Sequence, residues 1–283
     1  MICAAGLACS ALAQADPATT LREKYVSLGE QLRQNQFKQP LVLSSTEAPN
    51  GLRGDIYAVV AYPFGAVSAG LNNPDRWCDV MMLHINTKYC HAATGSSGTI
   101  LSVNIGKKTY EELVDTARVE FDYRVVAATP DYFGIRLSAK EGPMGTSDYR
   151  IQLEAVALPN DKTLLHLAYA YAFKFAGRLA MQVYLGTIGS QKVGFSVVGT
   201  LADGQPDYVG GPRGLVERNT MRYYLGIDTV LGTARMATGI QTEQRLQNWF
   251  TAVEQYPRQL HEMNREEYLE LKHAEYLRQD AVR

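Results

Sequence analysis

The sequence has 283 residues, 46% of them hydrophobic and 20% charged, with a formal net charge of −1. Those proportions exclude a disordered chain, and the balanced charge excludes a polyanion binder, so nucleic acid is not expected as a partner. At roughly 150 residues per domain the length allows one large domain or two small ones, with core enough to enclose a cavity.

Residues 1–12 are apolar or small and run into Ala11-Leu12-Ala13-Gln14-Ala15. That is the small-x-small pattern a signal peptidase reads, so residues 1–15 are expected to be an export signal and the mature protein periplasmic or secreted. No Lys or Arg precedes the apolar stretch, and a lipoprotein signal acylated at Cys9 would want Leu where Gly6 stands. The longest later apolar run, Ala58 to Leu71, has 14 residues and contains Pro63. It is shorter than the roughly 20 residues a spanning helix needs.

An exported chain meets an oxidising compartment, and loss of residues 1–15 leaves Cys78 and Cys90, with eleven residues between them. A disulfide is the economical reading. The rival is a metal site built from Cys78, His84, Cys90 and His91, but that spacing matches no familiar zinc pattern, and no metal or other cofactor is assigned.

Leu21, Tyr25, Leu28 and Leu32 recur at helical spacing and predict one amphipathic helix that ends at Pro40. Leu41–Ser45 and Asp55–Tyr62 read as strands around the turn cluster Ala48-Pro49-Asn50-Gly51. Phe64, Val67 and Leu71 then predict a short helix, and a second from Pro74 carries Trp77 and Cys78. From about Leu83 the period becomes two. His84–Cys90, Ile100–Ile105, Arg118–Val125, Tyr132–Ala139, Tyr149–Ala155 and Leu164–Phe175 are expected strands. Val119, Phe121, Tyr123 and Val125 alternate with charged residues, as do Tyr149, Ile151, Leu153 and Ala155 with polar ones, which predicts strands with one wet face. Leu164–Phe175 is polar on neither face and should be covered on both.

The remainder is expected to be helical. Ala176–Phe195 reads as a long apolar helix marked by four glycines, Gly204–Gly211 as a loop, Pro212–Gly232 as a helix, and Leu246–Val253 as another. Asn264 with Glu267 three residues on predicts the cap of a last, charged helix.

Searches for familiar chemistry come back empty. There is no Gly-x-Ser-x-Gly, no phosphate loop and no second ligand after His261-Glu262, so no catalytic residue is assigned. His166, on an otherwise apolar strand, is the most interesting titratable group. Glu120 and Asp122 share a face with Arg118 and Arg124, which predicts a solvated ion-pair ladder rather than a carboxylate dyad.

Strand, two short helices, a run of antiparallel strands and a long helix make an α+β order. The residues Tyr62-Pro63-Phe64, Val67, Leu71, Pro74 and Trp77 resemble the opening pattern of the START-like helix-grip superfamily, also called Bet v 1-like or SRPBCC, over roughly residues 55–195. The resemblance implies a curved antiparallel sheet wrapped around a long helix, with an apolar cavity between them that holds a lipid-like small molecule. Trp77, Phe121, Tyr123, Ile151, Leu153, Tyr169, Tyr171 and Phe173 are the expected ligand-binding residues. Residues 16–54 form an N-terminal helix and first strand, residues 55–232 the ligand-binding domain, and residues 233–283 a C-terminal helical extension.

Three functions fit this reading. The first is binding or transport of a hydrophobic small molecule, with transient membrane contact left open. The second is an enzyme of cyclase, aromatase or hydrolase type, using His166, a tyrosine hydroxyl or a buried acid. The third is a scaffold whose helical tail docks a protein partner of unspecified kind.

Overall fold

A computed structural model describes residues 16–173 and 191–282. Eight strands, β1 (Leu41–Ala48), β2 (Gly51–Val60), β3 (Thr87–Gly95), β4 (Gly98–Ile105), β5 (Ala117–Ala128), β6 (Tyr132–Glu141), β7 (Thr146–Leu158) and β8 (Lys162–Phe173), form one open sheet. Its order is β1-β2-β8-β7-β6-β5-β4-β3, and every neighbouring pair is antiparallel. The chain therefore leaves β2 and restarts at the far edge through two short helices, α3 (Phe64–Leu71) and α4 (Pro74–Met82).

The period-two pattern sets the two faces of the sheet. Opposed residues Ile151 and Tyr169, Leu153 and Leu167 point to the core, whereas Glu154 and His166, also opposed, point to the other face. The outer side of β5 carries the expected ladder, with Arg118 on Glu120 at 3.1 Å and Arg124 on Asp122 at 2.7 Å.

A 23-residue helix, α5 (Gly211–Thr233), lies on the core face against β1, β2 and β8. It opens with Pro212, as expected. Gly54 permits the close approach, because a Cβ there would collide with the Thr220 hydroxyl. Buried Glu217 ties this helix to the segment before it, accepting from the backbone N–H of Phe195 at 2.6 Å and of Ser196 at 2.9 Å, and from Ser45 Oγ and Ser196 Oγ.

Three expectations are corrected. The N-terminal helix is two helices, α1 (Pro17–Ser27) and α2 (Gly29–Arg33), because Leu28 leaves helical geometry at φ −92°, ψ 0° and Gly29 follows. The helix expected over residues 176–195 lies outside the described residues as far as 190, but residues 191–195 are not helical. Their backbone is held instead by partners distant in sequence: Phe195 N–H donates to Glu217, Gly194 N–H to the Val209 carbonyl, and the Val193 carbonyl accepts from Arg218. A small hairpin, β9 (Val197–Thr200) with β10 (Pro206–Tyr208), stands where helix and loop were expected. Val197, Val198 and Thr200 are β-branched, and Asp203-Gly204 supplies its turn.

The tail forms α6 (Thr238–Val253), α7 (Pro257–Leu260) and α8 (Arg265–Val282). Asn264 Oδ1 accepts from Glu267 N at 2.9 Å while Glu267 accepts from Asn264 N at 3.1 Å, the reciprocal cap read from the sequence. Leu246, Trp249 and Tyr268 join the same hydrophobic core as the sheet. Fully buried Glu275 accepts from Lys88 at 2.8 Å and Lys272 at 2.5 Å, tying α8 to β3. Burial and the second lysine push Lys272 down to about 8 even though Glu275 opposes the shift. Cys78 of α4 is bonded to Cys90 of β3, with Cα atoms 5.2 Å apart. On the opposite face of the sheet, Ala18 and Leu21 of α1 cover Tyr132, Val156 and Leu164.

Candidate functional site

The core face of β7 and β8 presents a run of tyrosines, since alternate positions on adjacent strands meet side by side. Tyr149 stacks on Tyr171 with ring centres 5.3 Å apart, and Tyr169 lies 5.6 Å from Tyr171. Phe121 meets the edge of Tyr149 at 6.3 Å. Tyr223 comes down from α5 to within 5.2 Å of Tyr169, and His84, just after α4, lies 5.9 Å from Tyr223. Sheet, helix and the corner after α4 thus converge on one interior patch.

Burying a hydroxyl without a hydrogen bond costs free energy, so such groups are normally paired. Here the Tyr149 hydroxyl bonds to Thr146 at 2.8 Å, whereas the hydroxyls of Tyr169, Tyr171 and Tyr223 make no hydrogen bond to another described residue. His84 Nδ1 accepts from Asn86 N at 3.2 Å, which places the ring proton on Nε2, and Nε2 bonds to no described residue either. Burial raises all three tyrosines and keeps them protonated. Burial, with the charges of Arg222 and Lys272, pushes His84 down to about 3, so the imidazole stays neutral. The patch therefore offers four hydrogen-bond donors on aromatic, apolar walls.

The expected binding residues divide. Phe121, Tyr169 and Tyr171 sit in this patch. Ile151, Leu153 and Phe173 lie on the same face of the sheet within the core. Trp77 and Tyr123 belong to the same core, and both donate to the carbonyl of Leu71, at 3.0 and 3.3 Å, holding the α3–α4 corner. Sequence reasoning missed Tyr149, Tyr223 and His84. The alternation of β7 already placed Tyr149 on the core face, and the helical spacing of Val216, Thr220, Tyr223, Ile227 and Val230 placed Tyr223 on one stripe of its helix, whereas nothing local marks His84 as part of the patch.

His166 faces the other side of the sheet. It lies between Asp55 and Glu154, with Nε2 and Nδ1 each 2.8 Å from a carboxylate oxygen, and Tyr57 stacks flat on it at 4.2 Å. Arg53 bonds to Asp55 through two nitrogens at 2.8 and 2.7 Å, and the Tyr132 hydroxyl donates to Glu154 at 2.6 Å. Its partners are thus complete and belong to the face under α1. An open depression of about 650 Å³ on the outer side is bordered by charged Arg118, Glu120, Asp122 and Arg150 together with Ile100 and Ala139.

No protein-family model and no curated protein matches the sequence. Among solved structures, the Zhui aromatase/cyclase from Streptomyces sp. R1128 is similar at 14% identity, covering 70% of this chain and 98% of its own, with a TM-score of 0.38. Human StAR-related lipid transfer protein 5 is similar at 10% identity over 77% of this chain and 97% of its own, TM-score 0.37. A START superfamily protein from Mycobacterium smegmatis is similar at 14% over 52% and 88%, TM-score 0.32. These are distant likenesses of architecture and are silent on what the interior patch does.

Proposed function

We propose that this chain is an exported protein that takes a hydrophobic, lipid-like small molecule between its sheet and α5. The observation that carries the proposal is the set of interior donors on Tyr169, Tyr171, Tyr223 and His84 with no bond to any described residue. A ligand with an apolar body and a few polar atoms satisfies such a lining. Phe121, Tyr149, Ile151, Leu153 and Phe173 supply the apolar wall, while Trp77 and Tyr123 brace the corner that closes it. The Cys78–Cys90 disulfide is compatible with a periplasmic or extracellular protein, and no helix among the described residues is long and apolar enough to cross a membrane.

Catalysis on the same scaffold needs an acid or base in that interior. His166 faces away from it, and His84 at about 3 is too weak a base for neutral pH. Binding is the function this geometry supports best. Titration with the neutral fluorophore N-phenyl-1-naphthylamine tests it: saturable enhancement, competed away by long-chain aliphatic compounds, is expected. A folded protein that gives no saturable signal contradicts the proposal.

A further inference from the structure

Next to the tyrosine patch the charge changes. Glu262, in the loop before α8, receives three cations from three parts of the chain. Lys108 from the loop after β4 contacts its Oε2 at 2.5 Å, Lys192 contacts the same oxygen, and Arg222 of α5 contacts Oε1 at 2.8 Å. Among the described residues Lys108, Lys192 and Arg222 share this one carboxylate, and the four side chains sum to a formal charge of +2. Lys272, whose Nζ donates to the His84 carbonyl at 3.2 Å, adds a further cation behind it, already shared with Lys88 on Glu275.

The cluster is contiguous with the patch. Arg222 precedes Tyr223 on α5, Lys272 Nζ donates to the His84 carbonyl, and the charges of Arg222, Lys272 and Lys108 act on the His84 ring against that of Glu262. Arg222 is buried and Glu262 partly buried, while the Lys108 and Lys192 side chains are 33% and 23% exposed. The sequence of environments is thus aromatic wall, tyrosine hydroxyls, neutral imidazole, and then a half-buried cation cluster.

Accepting the interior patch as a binding site, we infer that its ligand is an amphiphile with an anionic head group, carboxylate or phosphate, seated on Lys108, Lys192 and Arg222. The tail lies along Phe121, Tyr149, Tyr169 and Tyr171, and His84 Nε2–H and the Tyr223 hydroxyl donate to the head. An uncharged lipid would leave the positive surplus uncompensated in a partly desolvated place. Lys108 and Lys192 are the specificity-determining residues, since they are accessible and can turn from Glu262 to a second anion.

The test compares three twelve-carbon probes, dodecanoate, dodecyl phosphate and dodecanol, with inorganic phosphate as a fourth, by isothermal titration calorimetry on the full chain. Charge-assisted hydrogen bonds predict that both anionic amphiphiles bind about tenfold tighter than dodecanol. A Lys108→Gln, Lys192→Gln double variant should bring all three within about twofold while still binding dodecanol, with its circular dichroism and melting curve confirming the fold. Equal affinities in the native protein overturn the head-group inference and leave the hydrophobic site standing. A preference that survives the double variant also overturns it, as does inorganic phosphate binding as tightly as dodecyl phosphate. Failure of all three amphiphiles to bind overturns the proposed function itself.

Discussion

At the scale of the residue, His166 shows how an apolar-looking strand position acquires a function in stability. Burial alone would lower its pKa, but hydrogen bonds and charge from Asp55 and Glu154 reverse that and raise it above 6.5. Its contribution is therefore complete below about pH 6.5 and is lost as pH climbs through the raised value. For Asp55, burial is outweighed by the hydrogen bonds from His166 and Arg53, and for Glu154 the hydrogen bond from His166 dominates, so both are lowered. Their contributions are present above about pH 4.5 and lost on acidification. The cluster stabilises most between roughly pH 5 and 6.5. His166→Ala removes the cation shared by two part-buried carboxylates, leaving Asp55 with Arg53 and Glu154 with the Tyr132 hydroxyl, and is expected to cost about 2 kcal/mol at pH 6. Urea unfolding at pH 6 and pH 9 checks this: the native protein should lose that increment on going to pH 9 and the variant should not. Equal pH dependence in both would refute the assignment.

At the scale of the element, what was legible in the sequence was what local pattern alone decides. The alternation of Val119, Phe121 and Tyr123, and of Tyr149, Ile151 and Leu153, fixed the strands and their core face. Pro212, Asn264 and Glu267 marked helix starts through backbone chemistry that needs no distant partner. The segment 191–195 departs from the expected helix because Val209, Glu217 and Arg218, fifteen to twenty-five positions on, hold its backbone, and periodicity carries no trace of that. The interior patch was half legible for the same reason: Tyr169 and Tyr171 follow from one strand and Tyr223 from the stripe of its helix, whereas His84 and the meeting of these elements arrive by tertiary packing. The disulfide was legible from count and compartment, and it joins α4 to β3. In the chain-entropy account, so short a loop contributes about 3 kcal/mol. Reduction with dithiothreitol should lower Tm by roughly 5–10 °C for a chain of this size, measured by calorimetry. An unchanged Tm would mean that α4 is held by packing alone.

At the scale of the molecule, sheet, α5 and the C-terminal helices share one core, with Trp77, Trp249 and Tyr268 each at most 2% exposed. The tail is therefore part of the wall rather than a detachable arm. A chain ending after Gly239 removes Trp249, Tyr268 and the acid that pairs with Lys88. It is expected to lose cooperative urea unfolding. A truncated chain that unfolds cooperatively would return the tail to the role of a docking surface.

The central claim is that the interior between sheet and α5 holds a hydrophobic molecule. Native mass spectrometry of the full chain, purified without detergent from cells that export it, measures this directly. The account predicts a population heavier than the polypeptide by the mass of an amphiphile, stripped by organic extraction and restored in one equivalent by dodecanoate. A single peak at the polypeptide mass, unchanged by saturating dodecanoate, dodecyl phosphate or dodecanol, would contradict it.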